Sequence, residues 1–360
     1  MQFVVLQGDG IGPEIVSSAI DIINLIKNKL KIKIDLIHLE IGFSSLKSQG
    51  TTFPKKVLEI CKKSDGIILG PVDHNNYPSE KDGGLNPSGL LRSHLDLYSN
   101  IRPAKTYNNL KSTVDLMDLI IVRENTEGFY ADRNMYFGNG EFLPEPGIGI
   151  ALRKITEKGS KRIALRAFEI ASNLQKNKSK INLHAIHKAN VMKLTDGIFL
   201  DACREVSKSF PEINYSEMIV DAAAAHLVRN PAQFDVLVTT NMFGDILSDL
   251  ASELSGSLGL AGSINVGDRI PMAQAQHGSA PDIAGKGMAN PISMILSVGM
   301  MFGWLGIKKN NDVFIKANDF LHQAIDEHLM EQHCLTPDLG GEATTQEVTS
   351  SILTKLDLLF

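Results

Sequence analysis

From its first residues the chain alternates short apolar runs with helix-period segments, and few folds accept that pattern. Residues 3–6 read as a buried strand. After a turn, a helix with Pro13 in its first turn is expected to reach about residue 30. Residues 32–39 alternate as a strand, 54–63 read as a helix and 66–69 as another buried strand. Strand, helix, strand, helix, strand is the signature of an α/β layer fold. With 360 residues, the chain is long enough for two packed domains. Gly8, Gly10 and Gly12 tempt a dinucleotide-fingerprint reading, but Pro13 stands where the third fingerprint glycine belongs. These glycines are read as a tight strand-to-helix turn.

The alternation continues through a strand at 119–122, a helix at 155–175, a strand at 183–186 and a helix at 194–210. Residues 234–240 are a further buried strand. Beyond them Ile246, Leu247, Leu250 and Leu254 set a helical period from Gly244 onward. Asp245 and Asp249 therefore sit one turn apart on one face. A solvated helix start, with Asp245 at the positive end of the dipole, is the plain reading of such a pair. Its place just past the carboxyl end of a strand, where open α/β sheets keep their ligand sites, argues for more. Asp221 follows another strand-like run at 218–220. Three convergent carboxylates suit a hard divalent cation, Mg²⁺ or Mn²⁺.

Arg92, Arg102 and Arg123 stand near the ends of consecutive elements. One such arginine is usually solvated; three suggest a clamp for carboxylates, which the guanidinium fork pairs in two places. Lys188, at the end of the 183–186 strand, is either an exposed charge or, near metal and arginines, a base of lowered pKa. In the loop at 277–291 small residues allow close approach to a ligand. There Asp282 can accept from two ribose hydroxyls and would repel a 2′-phosphate, favouring NAD over NADP; the alternative is a polar turn. Residues 71–89 form a Gly-, Pro- and Asn-rich loop of functional length. Residues 131–149 read as an irregular excursion, an arm that could pair with another subunit. Residues 258–267 read as a loop, 288–306 and 312–330 as core helices, and 345–356 as a final helix.

A net charge of −5 gives no reason to expect nucleic acid or an anionic membrane as partner. Cys61, Cys203 and Cys334 are odd in number and far apart, so neither a disulfide framework nor a zinc spacing is expected, which suits a reducing cytosol. No signal peptide is read at the N-terminus. Residues 292–307 are expected to be a core helix, too short and too broken by Gly and Ser to span a membrane.

Taken together, GDGIGPE (8–14), LRSHLDLYSNIRPAK (91–105), VRENTEGFY (122–130), HKAN (187–190), VDAAAAHLVRNP (220–231), TTNMFGDILSDLAS (239–252) and HGSAPDIAGKGMANP (277–291) resemble the isocitrate/isopropylmalate dehydrogenase family. The resemblance covers essentially the whole chain, with the motifs in the family's order. It implies two α/β domains with the active site in the cleft between them. A cofactor-side domain is expected from residues 1–102 and 258–360. A central dimerisation and metal-site domain is expected from 103–257, with a possible arm at 131–150. It further implies that Arg92, Arg102 and Arg123 clamp the malate carboxylates and that Asp221, Asp245 and Asp249 ligate the metal. Lys188 and Tyr130 become the base and acid. His277, Gly278, Ser279, Asp282 and Asn290 become the cofactor loop, with Asp282 marking NAD. The active site is expected to be shared across a cytoplasmic homodimer, Lys188 and Asp221 coming from the neighbouring subunit.

The implied reaction is oxidative decarboxylation of a 2-hydroxy acid with a malate core, by way of a metal-stabilised enolate. Lys188 takes the hydroxyl proton, hydride leaves C2 for NAD, CO₂ departs and Tyr130 protonates the carbon. Members differ in the group on C3, read by the loop ahead of Arg92. That loop holds Asn86 and Ser88, polar where isopropylmalate enzymes place leucine-type residues. An isopropyl group would desolvate them at a cost, so isocitrate or homoisocitrate is expected first. Leu85, Leu90 and Leu91 keep 3-isopropylmalate as the alternative, beside a smaller tartrate- or malate-type acid. A non-catalytic regulatory subunit would tend to lose the lysine, tyrosine or aspartates, all present here. A binding module without turnover leaves the aspartates without a role.

Overall fold

The computed structural model describes residues 1–130, 140–176 and 178–360. The chain divides into two compact units: Met1–Leu91 with Tyr107–Lys111 and Gly256–Phe360, and Arg92–Thr106 with Ser112–Ser255.

In the first unit, β1 (Gln2–Leu6), β2 (Asp35–Leu39) and β3 (Gly66–Leu69) alternate with α1 (Gly12–Leu30), α2 (Gly42–Gln49) and α3 (Lys55–Cys61). The chain's C-terminal third adds β11 (Ile264–Val266), β12 (Pro271–Gln274), α9 (Ile292–Lys309), α10 (Asp312–Glu331) and α11 (Thr345–Leu359). The strand order is β2-β1-β3-β12-β11, parallel except for β11 against β12. Every residue of β3 and β12 is buried, as a parallel sheet covered on both faces requires. Helix α9 corrects the sequence expectation about its length. By length and composition it is long and apolar enough to cross a membrane, but 67 % of that stretch is buried inside the protein, as in a core helix.

Gly10 shows what the glycine-rich turn is for. Its φ is 58°, and a Cβ there would meet the Ser279 carbonyl oxygen at 1.9 Å. Ile11 N–H donates to that same oxygen at 2.9 Å. The glycine thus lets the turn after β1 clasp the loop at 277–291.

In the second unit, β4 (Ser99–Lys105), β5 (Asp118–Glu124), β8 (Asn182–His187), β9 (Asn214–Ile219) and β10 (Val236–Thr239) lie in the order β4-β5-β10-β8-β9. Only β4 runs antiparallel, pairing with β5 along its whole length from Ser99 to Lys105. Residues 92–102, expected in the first domain, belong to this unit. Side chains alternate across the sheet. Val122, Leu183, Ala185, Val236 and Val238 pack against α5 (Glu157–Gln175) and α6 (Thr195–Ser207). Leu119, Ile121, Ile186 and Leu237 pack against α7 (Val220–Arg229) and α8 (Asn241–Ser255).

Helix α8 starts at Asn241, three residues before the expected Gly244. The short elements α2, α7, β11 and β12 were not expected from the sequence, and β11 lies inside the expected loop at 258–267. Of the expected arm, residues 131–139 lie outside the described residues. Next to them β6 (Glu141–Glu145) and β7 (Ile148–Ala151) form an antiparallel hairpin exposed at every position.

Candidate functional site

Arg123 ends β5 almost fully buried, at 2 % exposure. It fits under the start of α8 because residue 244 is glycine: a Cβ there would lie 2.6 Å from Arg123 Cγ. Arg123 Nε donates to the Asn241 main-chain and side-chain oxygens at 2.9 and 3.0 Å, and NH2 donates to Asn241 Oδ1 at 2.6 Å. NH1 reaches Asp245 Oδ1 at 2.5 Å. From β4, Arg102 NH1 donates to Ser248 Oγ at 2.7 Å and to Oδ1 of Asp245 and Asp249 at 3.1 and 3.2 Å. Tyr130 OH donates to Asp245 Oδ2 at 3.4 Å.

Charge sets the ionisation here. Burial would raise the Asp245 carboxyl, but the guanidinium groups of Arg123, Arg102 and Arg92 outweigh it and hold the carboxyl below the ordinary range. Burial and the like charge of Arg123 draw Arg102 down to about 10, so it stays cationic at neutral pH. Asp245 and Asp249 keep 36 and 54 % of their side-chain surface. Two carboxylates one turn apart and open to solvent fit a hard divalent cation as part of a ligand set.

Asp221 is not with them. It lies in the first turn of α7, where the Lys188 ammonium donates to its carboxylate; that hydrogen bond keeps the carboxyl below its usual value. Among the described residues no group of three or more His, Cys, Asp or Glu could hold a metal within one chain. The structure thus brings Arg102, Arg123, Tyr130, Asp245 and Asp249 together and joins Lys188 to Asp221 apart from them.

In the first unit, the loop at 277–291 is pinned to its surroundings. Gly285 N–H donates to Glu14 Oε1 at 2.5 Å, and Thr345 N–H donates to Gly287 O at 2.8 Å. Burial holds the His277 imidazole below its ordinary pKa. Its Nδ1 lies 3.0 Å from Gly278 O, so the neutral ring puts its proton there, and the buried Nε2 has no hydrogen-bond partner. Ser279 is buried, whereas Gly278 and Asp282 are exposed. On one loop, an acceptor without a partner and an exposed carboxylate fit a nucleotide's amine and ribose hydroxyls. Asn290 is bonded within the fold. Its Nδ2 donates to Asp338 Oδ2 at 3.0 Å and its Oδ1 accepts from Ile292 N–H at 3.0 Å, so the amide anchors the loop.

The two polar residues ahead of Arg92 are also bonded within the fold. Asn86 caps α4 (Pro87–His94), its Oδ1 accepting from Gly89 N–H at 3.1 Å. Ser88 Oγ donates to the buried Gln274 Oε1 at 3.1 Å. Sequence reasoning missed Asn241, Gly244 and Ser248, which hold the arginines, and the buried pair Arg153–Asp196 behind Lys188. No spacing rule marks Asn241. Thr195-Asp196 at a helix start reads only as a cap.

The family model described as isocitrate/isopropylmalate dehydrogenase matches residues 2–352. The 3-isopropylmalate dehydrogenase of Sulfurisphaera tokodaii is 42 % identical over 351 residues, 98 % of each chain. The homoisocitrate dehydrogenase of Methanocaldococcus jannaschii is 39 % identical over 98 % of this chain and 97 % of that one. Among solved structures, isocitrate dehydrogenase from Methylococcus capsulatus superposes with a TM-score of 0.86 at 33 % identity, covering 99 % of both chains.

Proposed function

The chain belongs to the isocitrate/isopropylmalate dehydrogenase family and is a decarboxylating dehydrogenase, and on that premise we propose that its substrate is a malate-core acid with an apolar group on C3, 3-isopropylmalate. This reverses the order expected from sequence, where the polarity of Asn86 and Ser88 put isocitrate or homoisocitrate first. The observation that carries the reversal is the employment of those two side chains. Asn86 Oδ1 caps its own helix and the Ser88 hydroxyl donates to Gln274, so their polarity serves the fold. The 42 % identity to enzymes named 3-isopropylmalate dehydrogenase supports the same reading. Homoisocitrate remains the second reading, favoured by relatives of that name at 39 % identity.

We propose NAD and Mg²⁺ or Mn²⁺ as cofactors, in keeping with family usage. Asp245 and Asp249 would hold the cation with Asp221 of the partner subunit, which gives the chain's two separated half-sites one purpose in a homodimer. The bound cation would supply electrophilic pull on the oxygens of the acid, and NAD would accept hydride from C2. The chain's own residues do the rest. Arg92, Arg102 and Arg123 orient the carboxylates. Lys188 receives the hydroxyl proton, and Tyr130 OH returns a proton to carbon after CO₂ leaves. Asp282 selects NAD by accepting from the ribose. The dispersed cysteines favour a cytosolic location.

The test is kcat/KM for 3-isopropylmalate, isocitrate, homoisocitrate, malate and tartrate with NAD and Mg²⁺. The reading expects 3-isopropylmalate to lead by about tenfold, a margin that one or two extra buried methylenes supply. Ser88→Ala should leave that ranking unchanged. A lead for homoisocitrate or isocitrate installs the second reading, and no metal-dependent NADH formation with any acid removes both.

A further inference from the structure

Behind Lys188 lies a buried ion pair that the reaction scheme does not use. Asp196, in the first turn of α6, is fully buried, and its two oxygens have separate tasks. Oδ1 pairs with Arg153 NH1 at 2.5 Å, and Oδ2 accepts the main-chain N–H of Lys188 at 2.6 Å. Arg153 NH1 also donates to Thr195 Oγ1 at 2.6 Å, and NH2 donates to Thr240 Oγ1 at 3.0 Å. The rings of Phe129 and Phe243 flank the guanidinium at 5.9 and 5.8 Å. Thr240 precedes Asn241, the residue that receives Arg123 Nε and NH2. One connected set of bonds therefore runs from the Lys188 main chain to the β10–α8 junction that carries Asp245.

Burying two charges is expensive, and apolar residues of similar volume often stabilise a fold as well or better. What an apolar pair cannot do is fix a main-chain N–H and a neighbouring strand end in one bonded frame. Lysine is a point charge on a flexible stem, so the place of its ammonium is decided first by where its Cα is held.

We propose that Arg153 and Asp196 are positioning residues for Lys188. They hold the turn that projects its ammonium and tie that turn to the start of α8. The inference rests on reading Lys188 as the proton acceptor.

The experiment compares the full-length enzyme with Arg153→Met/Asp196→Leu, Asp196→Asn, Arg153→Met, Arg153→Lys and Lys188→Met, measuring melting temperature, kcat, and KM for acid and NAD. In the double variant the fold should hold while kcat falls about tenfold or more, because sub-ångström misplacement of a reacting group costs that much. KM for NAD should stay within about threefold, since no cofactor contact changes. Asp196→Asn cannot accept from Lys188 N–H and Arg153 NH1 at once, so it should lose kcat similarly even if the double variant fails to fold. Arg153→Lys should recover part of the kcat that Arg153→Met loses. A folded double variant, or Asp196→Asn, with kcat within about threefold of the parent overturns the inference. Lys188→Met that still turns over instead overturns the reading of Lys188, which is a separate failure.

Discussion

Gly244→Ala should damage catalysis far more than stability. An added Cβ would lie 2.6 Å from Arg123 Cγ, 2.7 Å from Arg123 Cβ and 3.2 Å from Thr239 Cγ2. The first two atoms are the stem of a side chain 2 % exposed, not a loose end that can swing away. Reaching ordinary carbon contact at roughly 3.5–4 Å requires α8 and β5 to part by about 1 Å. Overpacking of this kind costs about 1–3 kcal/mol. Replacing glycine inside a helix returns about 1 kcal/mol. The net loss of about 0–2 kcal/mol should lower the melting temperature by no more than about 5 °C. The same displacement lands on Arg123 NH1 against Asp245, now 2.5 Å apart, and on Asn241. Misplacement by about 1 Å at reacting groups costs about a hundredfold in kcat/KM. Gly197→Ala in α6 is the control: nothing lies within 4 Å of its Cβ, so it should be neutral or slightly stabilising with full activity. Calorimetry and steady-state NADH formation measure the two quantities. A Gly244→Ala enzyme with kcat/KM within about threefold of the parent would refute the claim that this glycine exists to seat Arg123.

Asp245→Asn should abolish metal-dependent NADH formation; unchanged turnover would contradict its assignment as a ligand. It should also cost about 1–3 kcal/mol at neutral pH, toward the low end because the side chain is 36 % exposed. The folded carboxyl lies below its ordinary value, so its contribution is present above about pH 4 and is lost as pH falls through the folded pKa; urea unfolding of both proteins should converge there. Asp282→Lys should lower kcat/KM with NAD and raise it with NADP, and an unchanged ratio would place the cofactor carboxylate elsewhere. His328, 2 % exposed, is pushed down to about 4 by burial and then by Lys355. The unfolded chain therefore takes up the proton first, and stability should fall by about 3 kcal/mol as pH drops from about 6.5 to 4. His328→Asn should flatten that limb of the unfolding profile, and an unaltered acid limb would mean another group produces it.

Periodicity located the long elements because each has one buried face. Helix α1 and strand β3 carry their apolar residues at the spacing their packing demands. It missed α7, whose apolar stripe of Val220, Ala223, Ala224 and Leu227 is built mostly of small residues within ten positions, and β11, a strand of three residues inside a Gly- and Ser-rich stretch. It set the start of α8 late because Asn241, Met242 and Phe243 form no apolar period. Asn241 belongs to the helix while its side-chain oxygen serves Arg123 from a strand 118 positions earlier in the chain. Long-range partnership of that kind has no local signature. The charged half of the site was legible for the opposite reason. Arginines at strand ends and aspartates one turn apart are local patterns with a cost that only a ligand or counter-charge removes.

Residue type states what a side chain can do, and bonding decides what it does. By type, Asn86 and Ser88 offer polar surface to a ligand. Each instead has a nearer partner: the Gly89 N–H for one, the Gln274 carbonyl oxygen for the other. A hydroxyl whose proton is already given to a buried acceptor has less to offer a carboxylate, because moving it gives up one of the two hydrogen bonds, from Ser88 and from Asn265 Nδ2, that Gln274 Oε1 accepts. Asn290 repeats the case in the cofactor loop, with both ends of its amide taken by Asp338 and the Ile292 N–H. His277 is the contrast. Its Nε2 is buried and has no hydrogen-bond partner in the chain, so it keeps an acceptor to offer. In each unit, the polar groups left with capacity for a ligand are those the fold leaves unsatisfied or holds in excess charge, and neither condition is written in a residue's identity.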